Sequence, residues 1–423
     1  MRKIIPLLLM GCGGVGRQLL DHIINCRSLH SKQGFVLRVL GICDSRSLLV
    51  VDDVSTMEFS DASLAKICSA KSSGSSLSNL LDLGQCQKFK DSEAKEKVID
   101  IAGLLGRSTG LVVIDCSASS ETIQTLKQVV DHGCCIVLAN KKPLTCSIED
   151  HEKLMSEFRR IRFESTVGAG LPVIASVTRV LASGDPIYRI VGGLSGTLGY
   201  VMSEVADGKS FSQVVKAAKS LGYTEPDPRD DLSGMDVARK GLILSRLLGH
   251  KIEMSDIKVE SLYPDELGPN SMSTEDFISK GLPSLDKDIS ERVKGASAKG
   301  NVLRYVCVID YSSFVNVEDG PQVVRWTTKL ITILFESWPI LVWNFVTLDC
   351  AIVNFKIDDN FKVGLQEIPK DSPLGRLRGS DNVVEIYSRC YKDSPFVIQG
   401  AGAGNDTTAA GVLADIIDLQ DLF

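Results

Sequence analysis

The chain has 423 residues, of which 44% are hydrophobic, and 47 Lys and Arg against 53 Asp and Glu give it a formal net charge of −6. This length and composition predict a folded protein of two or three domains and exclude a disordered or fibrous chain. The mild net acidity provides no basic surface for nucleic acid or for an anionic membrane, so we expect neither as a partner.

Twelve cysteines are scattered along the chain without a Cys-x-x-Cys pair, and none is spaced with the five histidines as in a zinc site. The apolar run from Ile4 to Met10 is too short for a secretory signal and leads into glycines instead of a cleavage site. These features predict reduced thiols in an intracellular protein. We expect a cytoplasmic protein, or a plastid one if a leader has been lost.

The first predicted element is a strand from Lys3 to Met10, and the glycine-rich run 11–16 and a helical pattern follow it. In such a strand, G-x-G-x-x-G, helix order, Gly11 permits a tight turn, Gly13 lets the backbone approach a pyrophosphate and Gly16 lets the helix pack closely. A glycine-rich turn without a ligand is the alternative, which this position between strand and helix disfavours. The predicted cofactor-binding residues here are Gly11, Gly13, Gly14, Val15 and Gly16.

The second predicted strand, Phe35–Cys43, leads into Asp44-Ser45-Arg46. An acid at this place accepts hydrogen bonds from an adenosine ribose, whereas an arginine pairs with a 2′-phosphate. Arg46 therefore favours NADP, Asp44 leaves NAD open, and a solvated loop charge is the alternative for Arg46. Further along, the polar small-residue stretch 69–78 predicts a surface loop.

Two later strands, Leu111–Ile114 and Cys135–Ala139, are each followed by polar residues. Ligands on open parallel sheets gather at the carboxyl ends of strands, so Ser117 and Lys141 are predicted to lie near a nicotinamide. A surface loop is the alternative for each residue taken alone.

The glycine-rich turn at 164–172 begins with the acid Glu164 and precedes a predicted helix, Val173–Leu181. Exposed carbonyls and one carboxylate in such a turn can coordinate a hard monovalent or divalent cation. A turn that merely caps the helix fits the same residues equally well.

Two prolines bracket Asp227 and predict an extended loop before a helix over 234–248. On that helix Asp236 and Lys240 stand four residues apart and face the same way. A carboxylate that holds an amine prepares it for proton transfer. An ordinary exposed salt bridge is the alternative from spacing alone.

The run from Gly222 to Lys240, G-Y-T-E-P-D-P-R-D-D-L-S-G-M-D-V-A-R-K, resembles the signature of the homoserine dehydrogenases. The likeness continues in the family's order over nearly the whole chain. It includes G-C-G-G-V-G at 11–16, A-N-K-K-P at 139–143, E-S-T-V-G-A-G-L-P at 164–172, G-G-L-S-G-T-L-G-Y at 192–200 and I-Q-G-A-G-A-G-N-D-T-T-A-A-G-V-L-A-D at 398–415.

This resemblance implies an α/β fold with a Rossmann-type dinucleotide-binding domain and an α+β substrate-binding and dimerisation domain. We expect the NAD(P)-binding domain at residues 1–150 and the homoserine-binding catalytic and dimerisation domain at 151–395. Residues 396–423 are expected to complete the nucleotide-binding domain. The resemblance also implies a homodimer.

The implied reaction is the reversible NAD(P)-dependent interconversion of L-homoserine and L-aspartate 4-semialdehyde, in threonine, methionine and isoleucine biosynthesis. The resemblance makes Lys240 the proton donor or acceptor at the hydroxyl oxygen, oriented by Asp236, which also binds substrate. Glu225 and the backbone of Gly222 would hold the amino-acid end of homoserine. Lys141 would bind the cofactor and polarise the carbonyl oxygen.

The resemblance assigns two further sites. Gly404 would close over the cofactor. A structural monovalent cation, Na⁺ or K⁺, would bind to Glu164 and to the carbonyls of Val167, Ala169 and Leu171. Since the likeness is to the short monofunctional form, we also expect that threonine does not inhibit the chain.

The sequence departs from the family pattern at 321–360, a stretch that holds all three tryptophans. Glu336 and Pro339 make it a poor membrane span. We interpret this stretch as a segment foreign to the family fold, such as a translated intron. The alternative function is therefore that of a catalytically impaired NADP-binding homologue. A semialdehyde dehydrogenase with a cysteine nucleophile is a weaker rival, because no cysteine lies beside a histidine in a plausible site motif.

Overall fold

The computed structural model describes residues 2–80, 83–311 and 361–423. The departure from the family pattern at 321–360 lies outside the described residues. Within the described ranges, no helix is both long enough and apolar enough to cross a bilayer.

The first sheet contains seven strands of the described chain. They are β1 (Lys3–Met10), β2 (Phe35–Cys43), β3 (Ser47–Val51), β4 (Cys86–Lys90), β5 (Val112–Asp115), β6 (Cys135–Leu138) and β7 (Ile161–Arg162). Their order is β4-β3-β2-β1-β5-β6-β7, and all neighbours are parallel except those that involve β3. Every residue of β5 and β6 is buried, as expected for parallel strands covered on both faces.

Helices connect these strands. They are α1 (Gly14–Lys32), α2 (Asp61–Ser72), α3 (Asp91–Leu105), α4 (Thr122–Asp131) and α5 (Ile148–Leu154). The predicted strands β1 and β2 are confirmed to the residue. The predicted loop at 69–78 is wrong for 69–72, which form the last turn of α2. The hydroxyls of Ser72 and Ser73 donate to the carbonyls of Ser69 and Ala70, so these serines finish the helix instead of interrupting it.

The second sheet is mixed and contains six strands of the described chain. They are β8 (Ile187–Gly193), β9 (Lys258–Val259), β10 (Asn301–Asp310), β11 (Phe361–Pro369), β12 (Asp381–Ser388) and β13 (Phe396–Ala401). Their order is β13-β12-β8-β10-β11-β9, with only the pair β9–β11 parallel. The predicted fold class, a Rossmann-type sheet with a second α+β part, is confirmed.

Eight helices of the described chain accompany this sheet or return to the first one. They are α6 (Val173–Ala182), α7 (Gly196–Ala206), α8 (Phe211–Ser220), α9 (Pro228–Leu232), α10 (Met235–Leu247), α11 (Thr274–Asp276), α12 (Leu282–Ala298) and α13 (Asn405–Asp418). Helices α7, α10 and α12 pack on β10, whereas α13 packs on α1 beside the first sheet. The predicted helices at 173–181 and 234–248 are confirmed as α6 and α10, within one residue at each end.

The start of α10 is fixed by Gly234, which precedes the helix with φ +73°. A Cβ atom there would lie 1.8 Å from the hydroxyl oxygen of Tyr305 on β10. That hydroxyl donates a hydrogen bond of 2.6 Å to the carbonyl of Glu260 and so has little room to move. The tight approach therefore sets where α10 begins relative to the second sheet.

We expect Gly234→Ala to destabilise the protein by about 3 kcal/mol, because the new methyl group must displace Tyr305 in addition to straining the backbone. Urea unfolding would measure the change. Gly208→Ala is the matched control, since Gly208 has φ +97° but nothing within 4 Å of its Cβ position. The control should lose only about 1 kcal/mol, and equal losses in the two variants would contradict the steric account.

Candidate active site

A cleft of about 1340 Å³ opens at the carboxyl ends of β1, β2, β5 and β6. It lies between the two sheets, and α10 forms its far wall. The predicted residues that line it are Gly11, Gly13, Gly14, Val15, Ser117, Lys141, Ala169, Glu225, Asp236, Lys240 and Gly404. Among the described residues that were predicted, Gly16, Arg46, Glu164, Val167, Leu171 and Gly222 do not line it.

The loop after β1 leaves no room for a side chain at Gly11 or Gly16, whereas the Cβ position of Gly13 is open. Gly11 has φ +94°, and a Cβ there would lie 2.5 Å from the backbone nitrogen of Ser117. A Cβ on Gly16 would lie 2.0 Å from the carbonyl oxygen of Gly11. The loop leads into the N-terminus of α1, whose free N–H groups favour an anion. This cradle therefore fits the pyrophosphate of a dinucleotide.

At the end of β2, the carboxylate of Asp44 is held by internal donors. It accepts hydrogen bonds from Lys71 Nζ at 2.9 Å and from the backbone N–H groups of Leu77 and Arg46 at 3.0 Å each. Burial alone would raise the pKa of Asp44, but these bonds and the charge of Lys71 lower it to about 2. Asp44 is thus ionised and engaged by the protein itself.

Lys71 lines the cleft beside Asp44, whereas Arg46 is exposed outside it. Sequence reasoning missed Lys71 because it assigned residues 69–78 to a loop. A signal was present, since Leu64, Ile67, Cys68 and Lys71 share one helical face at spacings of three and four.

Asn140 fixes the loops after β5 and β6. Its side-chain nitrogen lies 3.0 Å from Asp115 Oδ2, 2.8 Å from the carbonyl of Ser119 and 3.3 Å from Ser117 Oγ. Its side-chain oxygen accepts a hydrogen bond from the N–H of Lys142 at 3.1 Å. The buried amide therefore joins the two strand ends that carry Ser117 and Lys141.

The carboxylate of Asp236 joins two lysines from different parts of the fold. Lys240 Nζ lies 2.9 Å from Asp236 Oδ2, and Lys141 Nζ lies 3.3 Å from Asp236 Oδ1. Burial opposes ionisation of Asp236, but the two ammonium charges outweigh it and hold its pKa well below the usual range. Lys141 comes from the loop after β6, so the residues of the predicted pair on α10 meet a third residue from the first sheet.

Lys240 is not part of an exposed salt bridge. Only 10% of its side chain is exposed, while half of Asp236 faces the cleft. Lys240 Nζ also donates to the carbonyl of Leu194 at 2.6 Å. An ammonium group has three N–H donors, so these two bonds leave one for an oxygen atom in the cleft.

One wall of the cleft is acidic. Glu225, Asp230 and Asp231 all line it, and Asp231 accepts a hydrogen bond from the N–H of Glu225 at 2.8 Å. Burial raises the pKa of Asp231. Sequence reasoning named Glu225 but not the two aspartates, although they lie in the same quoted run. Gly222 is exposed and lies outside the lining.

Glu164 sits at the N-terminus of α6 and not in the cleft. Its two carboxyl oxygens accept hydrogen bonds from the N–H groups of Ile174 at 2.6 Å and Ala175 at 2.8 Å. Burial outweighs these bonds and raises its pKa to about 7. Asp415 of α13 accepts a hydrogen bond from the N–H of Glu164 at 2.9 Å, and burial also raises its pKa. In the described ranges, no group of three or more His, Cys, Asp or Glu side chains could hold a metal ion.

Three cysteines, Cys12, Cys43 and Cys116, also line the cleft. Burial raises the pKa of Cys12 and of Cys43 to about 12 and that of Cys116 further still. Since the thiolate is the nucleophile, these thiols are unsuited to the covalent chemistry of a semialdehyde dehydrogenase.

Comparison with known proteins agrees with this arrangement. A family model for homoserine dehydrogenase matches residues 172–417, and a model for the NAD-binding domain of homoserine dehydrogenase matches residues 11–164. The chain is 32% identical over 421 residues to a chloroplastic bifunctional aspartokinase/homoserine dehydrogenase 1 of Zea mays. This alignment covers 97% of the chain and 38% of the maize protein. The chain is also 35% identical over 335 residues to a homoserine dehydrogenase of Paracoccidioides brasiliensis. That alignment covers 76% of the chain and 77% of the fungal protein.

Solved structures share the fold. A Candida auris protein of unknown function superposes with a TM-score of 0.76 at 27% identity, over 99% of each chain. A hyperthermophilic archaeal homoserine dehydrogenase in complex with NADPH gives a TM-score of 0.64 at 20% identity, over 100% of this chain and 99% of the archaeal one. The chain spans about 38% of the length of the bifunctional maize relative and most of the fungal one. The two family models, which together match most of its residues in the order found along the sequence, show that the chain belongs to the homoserine dehydrogenase family.

Proposed function

We propose that the chain interconverts L-homoserine and L-aspartate 4-semialdehyde with a nicotinamide dinucleotide. The observation that carries this proposal is the position of Lys240, whose ammonium group is held by Asp236 and Leu194 in the same cleft as the glycine loop. Membership of the homoserine dehydrogenase family supports it. The proposed pathway role is in threonine, methionine and isoleucine biosynthesis.

The acidic wall suits the amino-acid end of the substrate. Glu225, Asp230 and Asp231 would attract its ammonium group, and the ionised Asp236, which contacts both lysines, lines the same cleft. The substrate would then present its 4-oxygen to Lys240 and Lys141. We propose that the backbone near Gly222 acts only after closure of this loop, since Gly222 lies outside the lining.

Oxidation of an alcohol removes a hydride from carbon and a proton from oxygen. A bound NAD(P)⁺ would accept the hydride. Lys240 would take the proton from the hydroxyl oxygen as an amine and return it to the carbonyl oxygen as an ammonium in the reverse direction. Asp236 would keep Lys240 in place, and Lys141 would stabilise negative charge on the oxygen.

NADP is the proposed cofactor. The glycine cradle would hold its pyrophosphate, with Ser117, Lys141 and Gly404 nearer the nicotinamide. Because Asp44 is already engaged by Lys71, its carboxylate is less suited to a ribose hydroxyl, and Lys71 with Arg46 would pair with a 2′-phosphate.

A monovalent cation, Na⁺ or K⁺, is proposed beside α6. The oxygens assigned to it come from Glu164 and the carbonyls of Val167, Ala169 and Leu171, a donor set that suits a hard cation. The buried carboxyl group of Asp415 next to the partly buried Glu164 supports this, since a cation would offset negative charge on the pair. Its role would be structural.

Several broader assignments are also proposed. The nucleotide-binding domain would comprise residues 1–150 completed by 396–423, with the substrate and dimerisation domain at 151–395. A homodimer would form through the second sheet, where Val308, Tyr387 and Val397 are only partly buried beside an apolar cluster. The described cysteines are all free, which favours a reducing compartment such as the cytoplasm.

Lys240→Met tests the reaction. We expect the rate of NADPH formation with homoserine to fall by about 10²–10⁴-fold, because the proton has no acceptor, while NADPH affinity changes less than about threefold. Absorbance of NADPH measures the first quantity and fluorescence titration the second. Lys299→Met, which removes an exposed lysine paired with Glu367, is the control and should keep full activity. Undiminished turnover in the Lys240 variant, or a wild-type chain that binds NADPH without oxidising homoserine, would contradict the proposal, and the second result would favour the impaired homologue.

Lys71→Met tests the cofactor assignment. We expect the Kd for NADPH to rise about tenfold, since one charged contact to the phosphate is lost, while the Kd for NADH changes less than about twofold. Arg46→Ala should have a smaller effect of the same kind. Equal loss for both nucleotides would mean that Lys71 serves only to hold Asp44.

Glu164→Gln tests the buried carboxyl group. Because the folded state keeps the Glu164 proton up to a pKa of about 7 while the unfolded chain releases it near pH 4.3, stability should fall as pH rises through this window. We expect the variant to lose up to about 3 kcal/mol of this pH dependence, measured by urea unfolding from pH 4 to 8 without Na⁺ or K⁺. The hydrogen bond from Lys95 lowers the pKa of Glu121, so Glu121→Gln should leave the slope above about pH 5 unchanged. An unaltered slope in the Glu164 variant would show that this carboxyl is ionised throughout.

A further inference from the structure

Arg246, in the last turn of α10, is a charged residue with only 3% of its side chain exposed. Its Nε and one terminal nitrogen donate to the carbonyl of Ile252 at 3.1 and 2.9 Å. The other terminal nitrogen donates to the carbonyls of Leu144 at 3.0 Å and Cys146 at 2.9 Å. A fifth bond, of 3.1 Å, goes to Glu253 Oε2. A guanidinium group has five N–H donors, so all of its donor capacity is used.

Two of these bonds reach the loop that carries Lys141. This loop is a compact turn, because the N–H of Leu144 and the hydroxyl of Thr145 both donate to the carbonyl of Lys141, at 3.0 and 3.1 Å. Pro143 stiffens it further. A displacement of Leu144 would therefore move the backbone of Lys141. Arg246 holds one end of this turn, and the ammonium group of Lys141 stands at the other.

The turn is thus attached to α10 at two places. Lys141 meets Asp236 in the first turn of the helix, and Arg246 lies ten residues later, about 15 Å along the helix axis. Lys141 Nζ lies 3.3 Å from Asp236 Oδ1, and both side chains are partly exposed. A partly exposed ion pair alone holds a long side chain only weakly in place. The buried attachment at Arg246 is the rigid one.

We propose that Arg246 is a positioning residue for Lys141. It fixes the loop after β6 against α10, so that the lysine from the first sheet and the Asp236–Lys240 pair keep one geometry across the cleft. The proposal rests on the proposed function, in which Lys141 acts on the reacting oxygen. Glu253 assists, since it also accepts a hydrogen bond from the N–H of Ile148 at 2.8 Å.

A double-mutant cycle with Lys141→Met tests this directly. In the wild-type background, Arg246→Met should lower kcat about 10- to 100-fold, because small misplacements of a reacting group are costly. The KM for homoserine and the Kd for NADPH should change less than about threefold. In the Lys141→Met background, the same substitution should lower kcat by no more than about twofold, because there is no ammonium group left to misplace. A residue that merely supports the fold would lower kcat equally in both backgrounds, and that result would overturn the proposal.

Arg246→Lys keeps the test usable if the methionine variant does not fold. It retains the charge and some carbonyl contacts, so kcat should lie between those of wild type and Arg246→Met, with the same dependence on Lys141. Lys251→Met is the matched control. Lys251 lies in the segment after α10 and pairs with Glu152 of α5, but its side chain is about half exposed. Its removal should therefore leave kcat within about twofold.

Hydrogen exchange gives a readout that does not need turnover. The backbone amides of residue 142 and of residues 144–148 should exchange at least about tenfold faster in Arg246→Lys than in wild type or Lys251→Met, while those of β1 stay unchanged. Unchanged exchange at 142–148 would overturn the proposal even if the wild-type chain does not oxidise homoserine, a result that by itself would overturn only the proposed function.

Discussion

The cleft between the two sheets depends on one carboxylate that lies between two ammonium groups. Asp236 contacts Lys240 from its own helix and Lys141 from the loop after β6. Without this negative charge, two like charges would face each other in a partly desolvated space, which is unfavourable. Its position in the first turn of α10 adds the favourable end of the helix dipole. The two sheets therefore meet around a charge arrangement that neither could build alone.

The surroundings of this carboxylate distinguish the charged lysines of the cleft from its neutral cysteines. Burial opposes ionisation of Asp44, Asp236 and the thiols of the cleft, and for the two aspartates charged partners and hydrogen bonds outweigh it. Asp44 and Asp236 have such partners. Cys12 and Cys43 lack comparable compensation and stay protonated. The same environment thus separates groups that act as charges from groups that act as neutral packing.

Local patterns were enough to predict the first strands, the glycine loop and α10, because each is encoded within a short window. The pair of Asp236 with Lys240 followed from helical spacing, but its contact with Lys141 did not, since 95 residues separate Lys141 from Asp236. Lys71 was missed because serine and lysine suit a loop and a helix surface alike. The burial of Arg246 could not be predicted from the sequence either, because tertiary packing alone determines it. What the sequence encoded locally could be predicted, and what depends on distant contacts could not.

The packing of the last helix beside the first sheet has a consequence for how the chain folds while the ribosome synthesises it. Helix α13 packs on α1, and the loop that contains Gly404 supplies part of the cleft wall beside Gly14. These partners are separated by nearly the full length of the polypeptide, which makes their pairing a late, high-contact-order event. Until the ribosome has added residues 402–405, which line the cleft, one side of the proposed nucleotide cradle is missing. We therefore expect a dinucleotide, bound as proposed, to stabilise the fold by mass action only once these residues are in place.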